Sequence, residues 1–181
     1  MKHLIVSVSW QTDNWQEQPT SEDLKKSGHG YASSGNLPHE RWNFNLHRHV
    51  VNGYKVGYFE TLERVPRQFD NGKGVVFFCS KNYAGGGKSY IVGLYATAEV
   101  GDRQYKVSES DAEFVGNVRA PVEFCVYWSD LKCLQLDKAR HFAGQTRMSQ
   151  GGFISIDDKQ AQDIIEDAMK ANEAFQRSSR N

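Results

Sequence analysis

Apolar and polar positions alternate in short runs along most of the chain. Residues 4–9 (LIVSVS) repeat with period two and predict a first strand. Residues 54–61 (YKVGYFET) alternate in the same way, and 74–80 (GVVFFCS) form a continuous apolar run. Residues 89–100 (SYIVGLYATAEV) predict one long strand, and 103–107 and 120–128 (APVEFCVYW) predict two more. Gly-rich turns separate these runs, so the pattern predicts a curved sheet or β-barrel. Two stretches follow a helical rhythm instead. Residues 20–27 (TSEDLKKS) predict a short helix that Thr20 caps, with Asp23 completing a capping box and Gly28 ending it. Over residues 157–176, Ala161, Ile164, Ile165, Ala168, Met169 and Phe175 recur near the 3.6 period. They predict a C-terminal helix, opened by a capping box of Asp157 and Gln160. The polar tail 177–181 (RSSRN) reads as a frayed end, or as the place where a longer natural chain was cut.

The whole is expected to be a single α+β domain over residues 1–181, with flanking helices. At 181 residues the chain is long enough to bury a core without staples, and no internal repeat or second domain boundary is visible. Lys plus Arg equals Asp plus Glu at 22 each, which argues against binding by non-specific phosphate contacts. Any nucleic-acid contact must be local and pocket-driven, or helped by another domain. The three cysteines, Cys79, Cys125 and Cys133, include no C-x-x-C pair, so a disulfide framework and a cysteine-based zinc site are disfavoured. No apolar stretch reaches membrane-spanning length, and the N-terminus lacks the apolar segment of a signal peptide. The expectation is a cytoplasmic protein with no membrane contact and no cofactor.

Candidate chemistry is sparse. Lys88 and Ser89 follow three glycines, but a phosphate loop needs Gly where Asn82 stands, and no strand-to-helix turn follows. A hairpin is the better reading. His47 and His49 share one strand face, with His39 and Glu40 nearby, which makes a metal-dependent nuclease or hydrolase the alternative function. No Gly-x-Ser-x-Gly elbow exists, and the apolar neighbours of Cys79 predict an inert core thiol.

The segment 28–45 (GHGYASSGNLPHERWNFN) changes the picture. It is rich in Gly, Ser and Asn, yet it carries Tyr31, Trp42 and Phe44. With Trp10, Trp15 and Tyr83, these rings sit in polar or Gly-rich surroundings, where loops rarely carry so many large side chains. Any one of them alone reads as a roof over the core. As a group they suit the stacking of a planar heterocycle, with Asn43, Asn45, Ser80 and Asn82 placed to contact a base edge. A methylated base would add a preference for a tight apolar cage. Arg41, His47, Arg48 and His49 form one basic cluster, and Lys132, Lys138, Arg140, His141 and Arg147 form another. Each is either a solvated surface or a phosphate track. A protein-interaction surface is a third reading of the aromatic loop.

Residues 74–100 carry a resemblance. Phe77-Phe78-Cys79-Ser80, then Ile91-Val92-Gly93, then Ala98-Glu99-Val100 resemble the core of PUA-like barrels of the EVE and YTH branch. The opening strand ending at Ser9-Trp10 and the 28–45 loop fit the same pattern. About a third of the chain is covered, and nothing after Val100 takes part. Related folds occur as N-terminal domains of McrBC-type modification-dependent restriction systems. The resemblance implies a module that flips a modified base, such as N6-methyladenine or 5-methylcytosine, out of DNA or RNA. It implies stacking by Trp10 and Trp42, closure by Tyr31, edge reading by Ser80 and Asn82, and phosphate contacts from Arg41, Arg48 and Arg147. It also implies a binding module rather than an enzyme, serving an effector such as a nuclease or NTPase.

Overall fold

A strand buried on one face alternates, whereas a strand buried on both reads as a continuous apolar run. Both patterns occur here, and they fix the layers. The structure is a computed structural model that describes residues 1–26, 34, 39–60, 69–82, 86–108, 113–128, 134–142 and 152–178, without the side chains of 102–104, 138, 139 and 173–178.

Sheet 1 has the order β8 (Cys125–Tyr127), β5 (Lys88–Tyr95), β4 (Val76–Asn82), β1 (His3–Val8), β9 (Phe153–Ile156). Strands β1 and β4 run parallel, from Leu4 opposite Val76 to Val8 opposite Ser80. The other pairs in this sheet are antiparallel. Sheet 2 is antiparallel, in the order β2 (Val50–Val51), β3 (Tyr54–Gly57), β7 (Glu113–Pro121), β6 (Glu99–Ser108). The α+β class expected from the pattern holds. Its strands form two sheets rather than one closed ladder among the described residues.

The main core lies between the sheets. Leu4, Val6 and Val8 of β1 and Val76 and Phe78 of β4 meet Val100, Val118 and Ala120 of sheet 2. The intervening side chains Ile5, Phe77 and Cys79 point the other way. They pack with Ala161, Ile164 and Ala168 of the long helix α3 (Asp158–Ser178). Strands β1 and β4 are therefore covered on both faces. A smaller cluster of Val56, Tyr58, Tyr105, Val107 and Phe114 belongs to sheet 2.

Both predicted capping boxes are formed. At α1 (Ser21–Lys26), Thr20 Oγ1 accepts from the Asp23 N–H at 3.1 Å and Asp23 Oδ2 accepts from the Thr20 N–H at 3.0 Å. At α3, Asp157 Oδ1 accepts from the Gln160 N–H at 2.9 Å and Gln160 Oε1 accepts from the Asp157 N–H at 3.0 Å. A short helix, α2 (Lys138–His141), precedes it, and His141 Nε2 lies 3.1 Å from Asp167 of α3.

Two expectations are corrected, and one strand was missed. The run 89–100 is two strands in different sheets, broken at Ala96 and Thr97. There Thr97 takes φ 49°, and the Ala96 N–H donates to Phe124 O at 3.0 Å. The run 120–128 is likewise split. Strand β7 ends at Pro121, a 3-10 turn Val122–Phe124 follows, and β8 joins the other sheet. Strand β9 was not expected at all, although FISI alternates. Strands β4 and β5 pair antiparallel out to Asn82 opposite Lys88, and the Gly87 N–H donates to Asn82 O at 2.8 Å, so the two strands form a hairpin, of which residues 83–85 lie outside the described residues.

Candidate nucleic-acid interface

Residues 39–49 contain no long element, and tertiary hydrogen bonds hold them in place. They open with a 3-10 helix, His39–Trp42. Its Glu40 is buried, and Oε1 accepts from the Ser9 N–H at 3.0 Å and the Ser9 hydroxyl at 2.7 Å. The helix is thereby tied to the end of β1, beside Trp10. Asn43 straps the same segment to Tyr58, donating to its carbonyl at 2.8 Å and accepting from its N–H at 2.9 Å. The Tyr95 hydroxyl donates to Asn43 O. Asn45 donates to Gln16 O at 2.7 Å and accepts from the His47 N–H at 3.1 Å. Lys55, wholly buried, donates to Trp42 O at 2.8 Å and Arg48 O at 2.7 Å.

These bonds correct part of the expected edge-reading set. The side chains of Asn43 and Asn45 are occupied in holding the loop. Ser80 is fully buried and donates to Val8 O at 3.0 Å, which leaves it no route to a ligand. Asn82 stands half-buried at the hairpin end of β4.

The aromatic set divides in the same way. Trp15 and Phe44 are buried in the main core, edge to face at 6.1 Å, and the Trp15 Nε1–H donates to Ser9 O at 3.0 Å. They are core rings, not walls of a slot. Phe44 fits because position 93 is glycine. A Cβ there would collide with the Phe44 ring and stand 2.6 Å from Val126 O. Trp10 is only half-buried. It sits 6.0 Å from Trp15 and 6.4 Å from Tyr90, at the edge of the core between the sheets. Leu46, Tyr90 and Tyr127 are also partly buried against that core, and Tyr127 lies 5.3 Å from Phe44. Tyr31, Tyr83 and Arg147 lie outside the described residues.

Trp42 occupies a different setting. It is 8% exposed, with Arg41 Cζ 4.0 Å and Arg48 Cζ 4.6 Å from its ring centroid. A guanidinium over an indole contributes about 0.5–2 kcal/mol, more when desolvated. Its edge meets the His49 ring at 5.3 Å, and His49 stacks on Phe114 at 3.7 Å and 11°. His49 is buried with φ 54°, a left-handed conformation uncommon outside glycine. Burial, then Lys55, Arg41 and Arg48, lower its pKa from 6.5 to about 3. The imidazole is therefore neutral at ordinary pH, in a cationic setting.

The set His39, Glu40, His47 and His49 does not form a metal-holding group. Glu40 is taken by Ser9, His39 packs on Tyr58 at 5.0 Å, and His49 lies among cations. No group of three His, Cys, Asp or Glu able to hold a metal occurs among the described residues. Cys79 and Cys125 are buried free thiols, each pushed up to about 12 by desolvation. At that pKa the thiolate is scarce, and neither serves as a nucleophile.

The Ser9–Glu40 bonds thus join two surfaces, and they part Trp10 from Trp42, which were expected to stack together. One is the half-buried aromatic pair Trp10 and Tyr90 at the edge of the main core. The other is a cationic corner of Arg41, Arg48 and Lys55 around Trp42. Tyr90 was missed because it sits inside an apolar strand run that reads as core. Among the described residues no helix is long and apolar enough to cross a membrane. No protein family, curated protein or solved structure matches the chain.

Proposed function

We propose that this chain is a PUA-like nucleic-acid-binding module that holds one modified, extruded base. The base packs against the rim of Trp10 and Tyr90, and the flanking phosphates lie at Arg41 and Arg48. The observation that carries this reading is the adjacency made by Ser9 and Glu40. It sets a half-buried aromatic pair next to a cationic corner, and a nucleotide has a flat ring next to an anion. Stacking is assigned to Trp10 rather than Trp42, because guanidinium groups already lie over the Trp42 ring.

The energies are compatible. Extruding a base costs a few kcal/mol, least for a strand that is already single. Stacking returns about 1–3 kcal/mol per base. The zero net charge then becomes a feature of the reading, since one nucleotide needs only a local cation pair. N6-methyladenine and 5-methylcytosine are the bases to try first, with an effector nuclease or NTPase as the partner to seek.

The test is binding of labelled oligonucleotides with and without the modified base. Trp10→Ala is expected to weaken binding to the modified strand by about tenfold or more, in line with the loss of one stacked base. Unchanged affinity in a folded Trp10→Ala variant would sink the assignment.

A further inference from the structure

Trp42 is more than nine-tenths buried, and its indole N–H has no hydrogen-bond partner among the described residues. Buried donors are seldom left unpaired, because the hydration they lose is not recovered. Three cationic groups stand close to this one. Arg41 and Arg48 lie over the ring, and the Lys55 ammonium binds the carbonyl oxygens of Trp42 and Arg48. The charges that depress His49 are these same three cations. His49 holds a left-handed backbone at φ 54°, the kind of local strain that tends to collect at functional sites.

An unpaired donor inside a cationic shell matches an acceptor that carries negative charge. We propose that the Arg41–Trp42–Arg48 corner is an oxyanion seat. One phosphate oxygen accepts the Trp42 indole N–H, and the two guanidinium groups neutralise the charge. The donor is closed off from solvent, so entry moves a side chain. Arg48, the exposed member of the trio, moves at the least cost in packing. The seat rests on the nucleic-acid reading for the source of its phosphate, because a phosphodiester and free phosphate present the same oxygens.

The experiment follows the indole Nε1–H signals of the nitrogen-15-labelled full chain by NMR. The Trp42 signal is assigned by its loss in Trp42→Phe, which keeps an aromatic ring under the guanidinium groups. If that variant does not fold, the signal is identified by its shift in Arg48→Gln. Inorganic phosphate is titrated against chloride at constant ionic strength, and then a modified-base oligonucleotide is added. The Trp42 signal is expected to move downfield and saturate with phosphate but not chloride, and Arg48→Gln is expected to weaken that response at least tenfold. Movement with the oligonucleotide alone keeps the seat and assigns it to a phosphodiester. Movement with phosphate and no oligonucleotide binding keeps the seat and overturns the nucleic-acid reading. Oligonucleotide binding with no movement overturns the seat and leaves that reading standing. No movement and no binding overturns both.

Discussion

The layer formed by α3 and sheet 1 and the corner formed by residues 39–49 are built on opposite terms. In the first, Ile5, Phe77, Cys79 and Ile91 meet Ala161, Ile164 and Ala168, and the helix start is closed by its own capping box. Nothing in that layer needs a ligand to explain it. In the second, a lysine, a histidine and a tryptophan are buried together, one residue has a positive φ, and one N–H is left over. Apolar packing stabilises the fold at little electrostatic cost, whereas clustered cations oppose it. A corner that departs from local consistency in several ways at once is where function is expected. The difference separates residues that hold the protein together from residues that give it a task.

Three perturbations break or sharpen that contrast. The largest belongs to the apolar layer. Phe77→Ala removes a fully buried ring and is expected to cost about 3–5 kcal/mol in denaturant unfolding. In whatever fraction stays folded, ligand affinity should not change.

The second belongs to the corner and appears in the pH dependence of stability. The His49 pKa is about 3 folded and 6.5 in the reference state. Between those values the unfolded chain binds the extra proton. The contribution is therefore fully present above pH 6.5 and is lost as pH falls toward 3. The slope from this one group reaches at most about 1.4 kcal/mol per pH unit. His49→Asn, which tolerates the left-handed backbone but does not titrate, should flatten the curve in this window relative to the parent chain. Parallel curves would mean that His49 is not held neutral by its surroundings.

The smallest effect lies in neither region. Thr97 is β-branched at φ 49°, and its buried hydroxyl lacks a partner among the described residues. Thr97→Gly relieves that backbone and is expected to raise stability by about 1 kcal/mol, read as a shift in the denaturation midpoint. Lower stability would show that the turn between β5 and β6 depends on the threonine side chain.

Much of the apolar layer was legible in the sequence, and much of the corner was not. The 3.6 period of Ala161, Ile164 and Ala168 and the pairing of Asp157 with Gln160 are local signals, and local signals survive in a linear reading. The continuous apolar run around Phe77 and Phe78 read as a strand, and β4 lies there, covered on both faces. The break at Thr97 was invisible because the turn is held by tertiary hydrogen bonds that the Ala96 and Ala98 N–H groups donate to Phe124 O and Gly74 O, not by a turn residue. Trp15 and Phe44 stand in polar stretches and read as exposed rings, yet Gly93 and the main core take them in. Asn43 and Ser80 read as base-edge contacts because nothing in the sequence shows that Tyr58 and Val8 already occupy them. The basic pair Arg41 and Arg48 near Trp42 was visible in the sequence, but the third cation, Lys55, lies in the alternating run 54–61 and drew no notice.

The most direct test of the central claim is the affinity of the folded chain for modified and plain single strands across a range of salt concentrations. With Arg41 and Arg48 as the two phosphate contacts, log affinity should fall with log salt at a slope of about −1.4. The modified strand should bind at least tenfold tighter at every salt concentration. Equal binding to both strands, or a slope several times steeper, would contradict a pocket that grips one nucleotide.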